Sequence, residues 1–176
     1  MIMAREAFGS DTRKYSQGLN AIYERLSQDY LYPDPMKVLT FLENHDSDRF
    51  LLSLPDNLGQ WKQAVAFLLT TRGIPQLYYG QELLMNGSKE GSDGYVRKDV
   101  KGGFPGDTSS EFTPEGRTQL QNEAFDYLSR IAHWRRSSDI IAKGSLKHFI
   151  PYKGIYVYER RLGDKNVVIV MNGTDD

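Results

Sequence analysis

The chain contains no cysteine. Disulfides, thiolate-bound zinc and a cysteine nucleophile are therefore excluded, although this alone does not fix a compartment. No apolar run approaches the roughly 20 residues that a membrane-crossing helix needs, and the opening MIMAREAFGSD has no signal-peptide core. An excess of one charge is also missing: 22 basic and 23 acidic residues leave a net charge of −1, with the two signs interspersed. Such a balance lacks the electrostatic footprint of a nucleic-acid binder or an anionic-membrane binder, so neither partner is expected. There is no internal repeat and no low-complexity tract. Asp46-Ser47-Asp48 does not extend into a calcium loop, and Gly87, Gly91 and Gly94 do not form a G-x-x-x-x-G-K-S/T cradle. No metal and no cofactor is expected.

What the chain does contain is a patterned alternation of elements over 176 residues. Tyr15 to Tyr30 carries Leu19, Ile22, Tyr23 and Leu26 at helical spacing, and Tyr32-Pro33-Asp34-Pro35 breaks the run. Lys37 to Leu42 is short and rich in β-formers, as a buried strand is. After a loop at Leu54 to Gly59, Gln60 to Arg72 predicts a helix with Trp61, Val65, Leu68 and Leu69 on one side and Gly73 as its C-terminal cap. Ile74 to Tyr79, bounded by Gly73 and Gly80, reads as a second buried strand. Strand, helix and strand within some forty residues form a βαβ unit, whose strands should be parallel with a right-handed crossover.

Gln81 to Phe112 is long, glycine-rich and charged, with no period. Its place after a strand end favours a functional loop. Thr113-Pro114-Glu115 predicts the start of a helix running to Arg136, with Leu120, Phe125, Leu128, Ile131, Ala132 and Trp134 as its apolar stripe. Past Ser137 the period changes: Ser145 to Ile150, Ile155 to Arg160 and Val167 to Met171 alternate as strands, with turns at Pro151 to Gly154 and Gly163 to Asn166.

Chemistry concentrates at Lys37 to Phe50, KVLTFLENHDSDRF. Ligands bind at the carboxyl end of parallel strands, and His45 and Asp46 fall there. An imidazole beside a carboxylate can bind vicinal sugar hydroxyls, stabilise positive charge or support a nucleophile elsewhere. Spacing alone leaves these open, and an isolated pair of this kind is more often a strand-end carboxylate capping a helix.

Phe41 to Arg49 resembles the signature at the end of the seventh barrel strand in the α-amylase family of glycoside hydrolases. Gly73 to Glu82, GIPQLYYGQE, resembles that family's eighth strand, and two motifs in order are far more specific than one. The resemblance implies an α/β chain forming the C-terminal part of a (β/α)8 barrel, strands 7 and 8 with flanking helices, followed by the start of an antiparallel β-sandwich domain. The expected division is 1–138 for the barrel part and 139–176 for the β domain. A whole barrel takes ~250 residues, so the chain is expected to be a fragment whose natural N-terminus lies upstream. Both cytoplasmic and extracytoplasmic locations therefore stay open.

Residue by residue, the resemblance implies that Asp46 is the family's third acid, binding ring hydroxyls at the cleavage subsite. His45 would bind the same hydroxyls, while the nucleophile and the acid/base come from strands not visible here. Arg49 matches as a structural ion pair that orients the acidic site; Glu43 is given no role. Asp93 and Arg97, four apart, resemble a pair that contacts the neighbouring glucose in the branch acting on cyclomaltodextrins, pullulan and short maltooligosaccharides. Lys98-Asp99-Val100 departs from that branch's continuation, so an exposed charged loop is the competing reading. Tyr79 is the aromatic residue to test for sugar stacking. The partner implied is an α-glucan oligosaccharide or polysaccharide, with self-association through exposed barrel edges. Two other readings remain: a non-catalytic relative that binds carbohydrate or a partner, and an unrelated α/β domain, which would lack adjacent parallel strands at 37–42 and 74–79.

Overall fold

The computed structural model describes residues 18–54 and 57–174. The polar lead-in and the expected helix start at Tyr15 lie outside them, as do Pro55 and Asp56 of the expected loop.

Helix α1, Leu19–Leu26, buries Leu19, Ala21, Ile22 and Leu26. It is shorter than its periodicity predicts, because the chain tightens into a 3-10 turn at Asp29–Leu31. There the Asp29 carboxylate receives the Arg72 guanidinium, with Nε to Oδ2 at 2.8 Å. Strand β1, Leu39–Thr40, lies parallel to β2, Ile74–Pro75, in the register Leu39 to Ile74 and Thr40 to Pro75. Between them runs helix α2, Leu58–Thr70. The parallel βαβ unit expected from the sequence is present, and the reading as an unrelated domain loses its support.

Two features of these strands differ from expectation. Both are two residues long, since a 3-10 turn at Pro35–Lys37 delays β1 and Pro75 offers β2 no N–H. Neither is buried: Leu39 is 47% and Ile74 52% exposed. Each strand has one strand neighbour among the described residues, so the other flank of the pair stays open.

Helix α2 buries Trp61, Ala64, Val65, Leu68 and Leu69, the i, i+3, i+4, i+7, i+8 stripe of a core-facing helix. Asn57 caps it by accepting the Gln60 N–H at 2.9 Å. Thr71, in extended conformation, ends it. Gly73 is therefore no helix cap; it has φ +100°, and a Cβ there would lie 2.5 Å from the Val38 carbonyl oxygen. It is the close approach of the two strand entries that requires glycine.

Helix α3, Gln119–Ser137, starts later than Thr113 because Pro114–Gly116 forms its own 3-10 turn. Arg117 holds that turn off the helix by donating to the Glu111 carbonyl at 2.6 Å. The cap is Thr118, in a reciprocal box with Gln121. Ala124 and Leu128 are buried against α2, whereas Leu120 and Trp134, expected on the stripe, are exposed. A short helix α4, Asp139–Lys143, which the periodicity did not reveal, leads into an antiparallel sheet. Its strands are β3, Ser145–His148, β4, Ile155–Leu162, and β5, Lys165–Asn172, in that order. The second turn is tighter than expected: Leu162 pairs with Lys165, so Gly163, at φ +61°, and Asp164 make it alone.

The sheet shares a core with the helices. Tyr156, Tyr158 and Met171 join Leu19, Ile22, Trp61 and Leu68 in one buried cluster. At the seam the Arg160 guanidinium donates to the carbonyls of Thr70 at 3.0 Å, Thr71 at 2.7 Å and Gly144 at 2.7 Å.

Gly73→Ala is expected to destabilise the chain by ~2 kcal/mol or more, because it combines a left-handed φ with a clash against backbone. A urea midpoint equal to that of the unsubstituted chain would contradict this account of the strand entry.

Candidate active site

The residues after β1 turn sharply. The Asn44 side-chain oxygen accepts the Asp46 N–H at 2.9 Å, and the Ser47 hydroxyl accepts the Asn44 N–H at 3.0 Å. Short polar side chains of this kind replace ladder bonds with local ones. The turn displays His45 and Asp46 at the strand's carboxyl edge, each side chain 60% exposed, with Nε2 to Oδ2 at 3.1 Å.

The long loop after β2 comes back to this pair. Arg97 donates from Nε to the His45 carbonyl at 3.1 Å and pairs through Nη2 with Asp46 Oδ1 at 3.2 Å and Asp93 Oδ2 at 2.6 Å. Lys89 Nζ lies 3.2 Å from Asp93 Oδ1. The hydrogen bond from Lys89, helped by the Arg97 charge, holds the Asp93 carboxyl below the usual carboxylate range. The four residues singled out in the sequence, His45, Asp46, Asp93 and Arg97, thus form one constellation. The segment joining Asp93 to Arg97 is itself turned, through a 3-10 turn at Asp93–Tyr95.

Beneath the rim is a second, buried group. Arg49 Nη1 pairs with Glu43 Oε1 at 2.8 Å, both side chains being almost fully enclosed. The same guanidinium donates to the Val96 carbonyl at 2.9 Å and the Tyr79 carbonyl at 2.7 Å, and sits 4.2 Å over the Tyr78 ring. Glu43 Oε2 accepts the Phe50 N–H. Burial pushes the Glu43 carboxyl up, against the downward pull of the Phe50 amide and Arg49. The orienting role expected of Arg49 acquires a partner here. Glu43, to which the sequence reading gave no role, is that partner; the only signal for it was an acid at the strand end, six residues before an arginine. Tyr79 is partly exposed, and its hydroxyl donates to the Lys98 carbonyl at 3.0 Å, which ties the ring to the loop.

This arrangement can grip paired hydroxyls: a carboxylate accepts, while an imidazole and a guanidinium fork donate. Removing Glu43 leaves the Arg49 charge enclosed without its counter-ion. Glu43→Ala is expected to cost about 3 to 5 kcal/mol and to open the segment after Lys89 to trypsin; a cleavage rate and urea midpoint like those of the parent would refute it.

Residues 4–144 match the family model described as alpha amylase, catalytic domain, and residues 146–176 the model described as cyclo-malto-dextrinase C-terminal domain. A cyclomaltodextrin glucanotransferase of Bacillus licheniformis is 34% identical over 134 residues, covering 76% of this chain and 16% of its own. An alpha-amylase of Niallia circulans is 30% identical over 169 residues, covering 93% of this chain and 26% of its own. The chain therefore spans between a sixth and about a quarter of these relatives' length. The crystal structure of an alpha-amylase from Geobacillus thermoleovorans, complexed with acarbose, superposes on 98% of the chain and 35% of its own with a TM-score of 0.74 at 24% identity. The βαβ unit is thus the C-terminal part of a (β/α)8 barrel, the sheet is the start of the domain that follows it, and the chain belongs to the α-amylase family of glycoside hydrolases.

Proposed function

We propose that residues 1–138 complete the barrel, and residues 139–176 begin the β domain, of a retaining enzyme acting on α-1,4-linked glucans, with α-1,6 linkages as an alternative. The observation that carries this reading is the convergence of His45, Asp46, Asp93 and Arg97 on one open rim. Asp46 is the acid that hydrogen-bonds ring hydroxyls of the glucose being cleaved and helps to distort it towards an oxocarbenium-like transition state. His45 binds the same hydroxyls. Asp93 and Arg97 hold the adjoining glucose, with Arg97 also fixing the Asp46 loop.

Glycosyl transfer through a covalent intermediate needs a carboxylate nucleophile and a second carboxyl as acid/base. Of the carboxylates beside Asp46, Asp93 is engaged by two cations and Glu43 is enclosed with Arg49. Neither suits those tasks, which fall to groups on earlier barrel strands. Cyclomaltodextrins, maltooligosaccharides and pullulan are the favoured substrates. The relatives named as glucanotransferases support transfer to a sugar acceptor beside hydrolysis. The open flank of β1, where Ile22, Leu26, Val38, Leu39 and Phe67 line a cavity of about 160 Å³, is a surface for association through the barrel edge.

The purified chain is expected to release no glucose from maltoheptaose, pullulan or cyclomaltodextrin; measurable turnover would overturn the division of labour. A reading frame extended upstream through the earlier strands should hydrolyse maltoheptaose, and Asp46→Asn within it should lower kcat by ~100-fold or more. An extended protein that binds but never turns over would establish the non-catalytic reading instead.

A further inference from the structure

Two stretches of the chain are nearly the same tetrapeptide: Met85-Asn86-Gly87-Ser88 after β2 and Met171-Asn172-Gly173-Thr174 at the end of β5. In each, a glycine follows an asparagine. Without a Cβ its backbone nitrogen is unshielded, so it can approach the preceding side-chain carbon and close a five-membered imide. Sequence makes the two equal, and the fold separates them.

At Asn172 both reacting groups are engaged elsewhere. The side-chain oxygen accepts the Thr174 N–H at 3.0 Å and the Thr174 hydroxyl at 2.7 Å, while the Gly173 N–H donates to the Gly154 carbonyl at 2.8 Å. Asn86 is exposed, and the Gly87 N–H points at the Asn86 side-chain oxygen itself, at 2.8 Å. Cγ is one bond from that oxygen, so the nitrogen and carbon that would join are already neighbours. Packing also imposes the glycine, because a Cβ at Gly87 would run into the Tyr95 carbonyl oxygen. Asp93-Gly94 has the same pattern in acid form, but Lys89 and Arg97 pair with its carboxylate. An ionised carboxylate offers neither an electrophilic carbon nor a leaving group.

We propose that Asn86 is a site of spontaneous deamidation, with water as co-reactant and ammonia as leaving group, and that its isoaspartyl product loosens the loop carrying Asp93 and Arg97. The Gly87 nitrogen loses its proton to base and bonds to Cγ; the Cγ–Nδ2 bond breaks, and Nδ2 takes up a proton and departs as ammonia. Water then opens the imide. Attack at Cγ gives aspartate, whereas attack at the Asn86 backbone carbonyl leaves the chain running through Cγ, with one more methylene in the main chain and a new negative charge. The added length falls where the loop is anchored. The Gly87 carbonyl accepts the Arg49 N–H at 2.9 Å, and Asp48 accepts the Lys89 N–H at 2.6 Å and the Ser88 hydroxyl at 3.2 Å. This site does not depend on the glucan reading.

Peptide mapping by mass spectrometry of the purified chain, aged at neutral and at alkaline pH, tests it, with labelling by an isoaspartyl methyltransferase to identify the product. Asn86 is expected to convert about tenfold or more faster than Asn172 in the folded chain, and faster at alkaline pH; no conversion at Asn86, or an equal rate at Asn172, overturns the proposal. In urea the two rates should become similar, and a preference that survives unfolding overturns the geometric account. Trypsin should cleave the isoaspartyl fraction after Lys89 several-fold faster than the fresh chain. Asn86→Gln, which would have to close a six-membered ring, should age without that change. An isoaspartyl fraction as resistant as the fresh chain, or an aged Asn86→Gln that opens equally, overturns the loosening.

Discussion

The enclosed pair of Arg49 and Glu43 is the contact on which the rim depends. One guanidinium reaches the end of the first strand through Glu43, the end of the second through the Tyr79 carbonyl, and the long loop through the Val96 carbonyl. A planar fork with five donors can serve three segments at once, which an ammonium on a flexible stem does poorly. Desolvating both charges is costly, so such a pair is weak evidence for stability in itself. Its effect is geometric: the loop carrying Arg97 is pinned at Val96, one residue away, and Arg97 is thereby delivered to Asp46. Asp48 adds a second stitch by accepting the Lys89 N–H at 2.6 Å.

A comparable arrangement joins the two parts of the chain. Helix α2 ends at Thr70 with carbonyls that have no helical partner, and Arg160 of β4 and Arg135 of α3 supply donors there. Arg160 reaches Thr70 and Thr71, while Arg135 reaches the Leu69 carbonyl at 2.7 Å and that of Gly73 at 2.9 Å. The Tyr158 hydroxyl and the Thr70 hydroxyl share a hydrogen bond beside them. Positive charge at a helix C-terminus also opposes its dipole. The sheet is thus fixed to the end of the helix that precedes β2, so the orientation of the β domain is set by the same element that positions the second strand.

How much of this was legible in the sequence follows from where the determining forces act. Helix α2 was read to within two residues of each end because its stripe is a local period, although its caps, Asn57 and Thr71, were not read. The parallel pairing followed from element order. By contrast, the end of α1 is set by a contact far along the chain, Arg72 to Asp29, while the later start of α3, the tighter second hairpin and the brevity of β1 and β2 come from short turns and from Pro75, which hydrophobic periodicity does not register. At the site, residue type and spacing singled out Asp46 and Arg97 through family likeness, and the structure brings the two into contact. That Arg97 bonds the His45 carbonyl and the Asp46 carboxylate arises from loop closure over some fifty residues, which no local pattern encodes, whereas the Glu43–Arg49 pair lies within six residues and was signalled only by an acid at the strand end.

The same bonds bear on how the site behaves in this chain. Asp46 has one oxygen against Arg97 and the other against His45, so a sugar bound as proposed above would share the carboxylate with these partners or displace them. All of these groups are well exposed, so water screens the pairs and each is worth little. Exchange for a sugar is therefore inexpensive, but it gains little too, because a rim open to solvent does not exclude the water that hydroxyls already bind. Tight grip requires walls that dry the pocket and strengthen each polar contact. In a (β/α)8 barrel those walls are the loops of the other strands, so the charge pattern on this rim acquires its full strength only when enclosed by them.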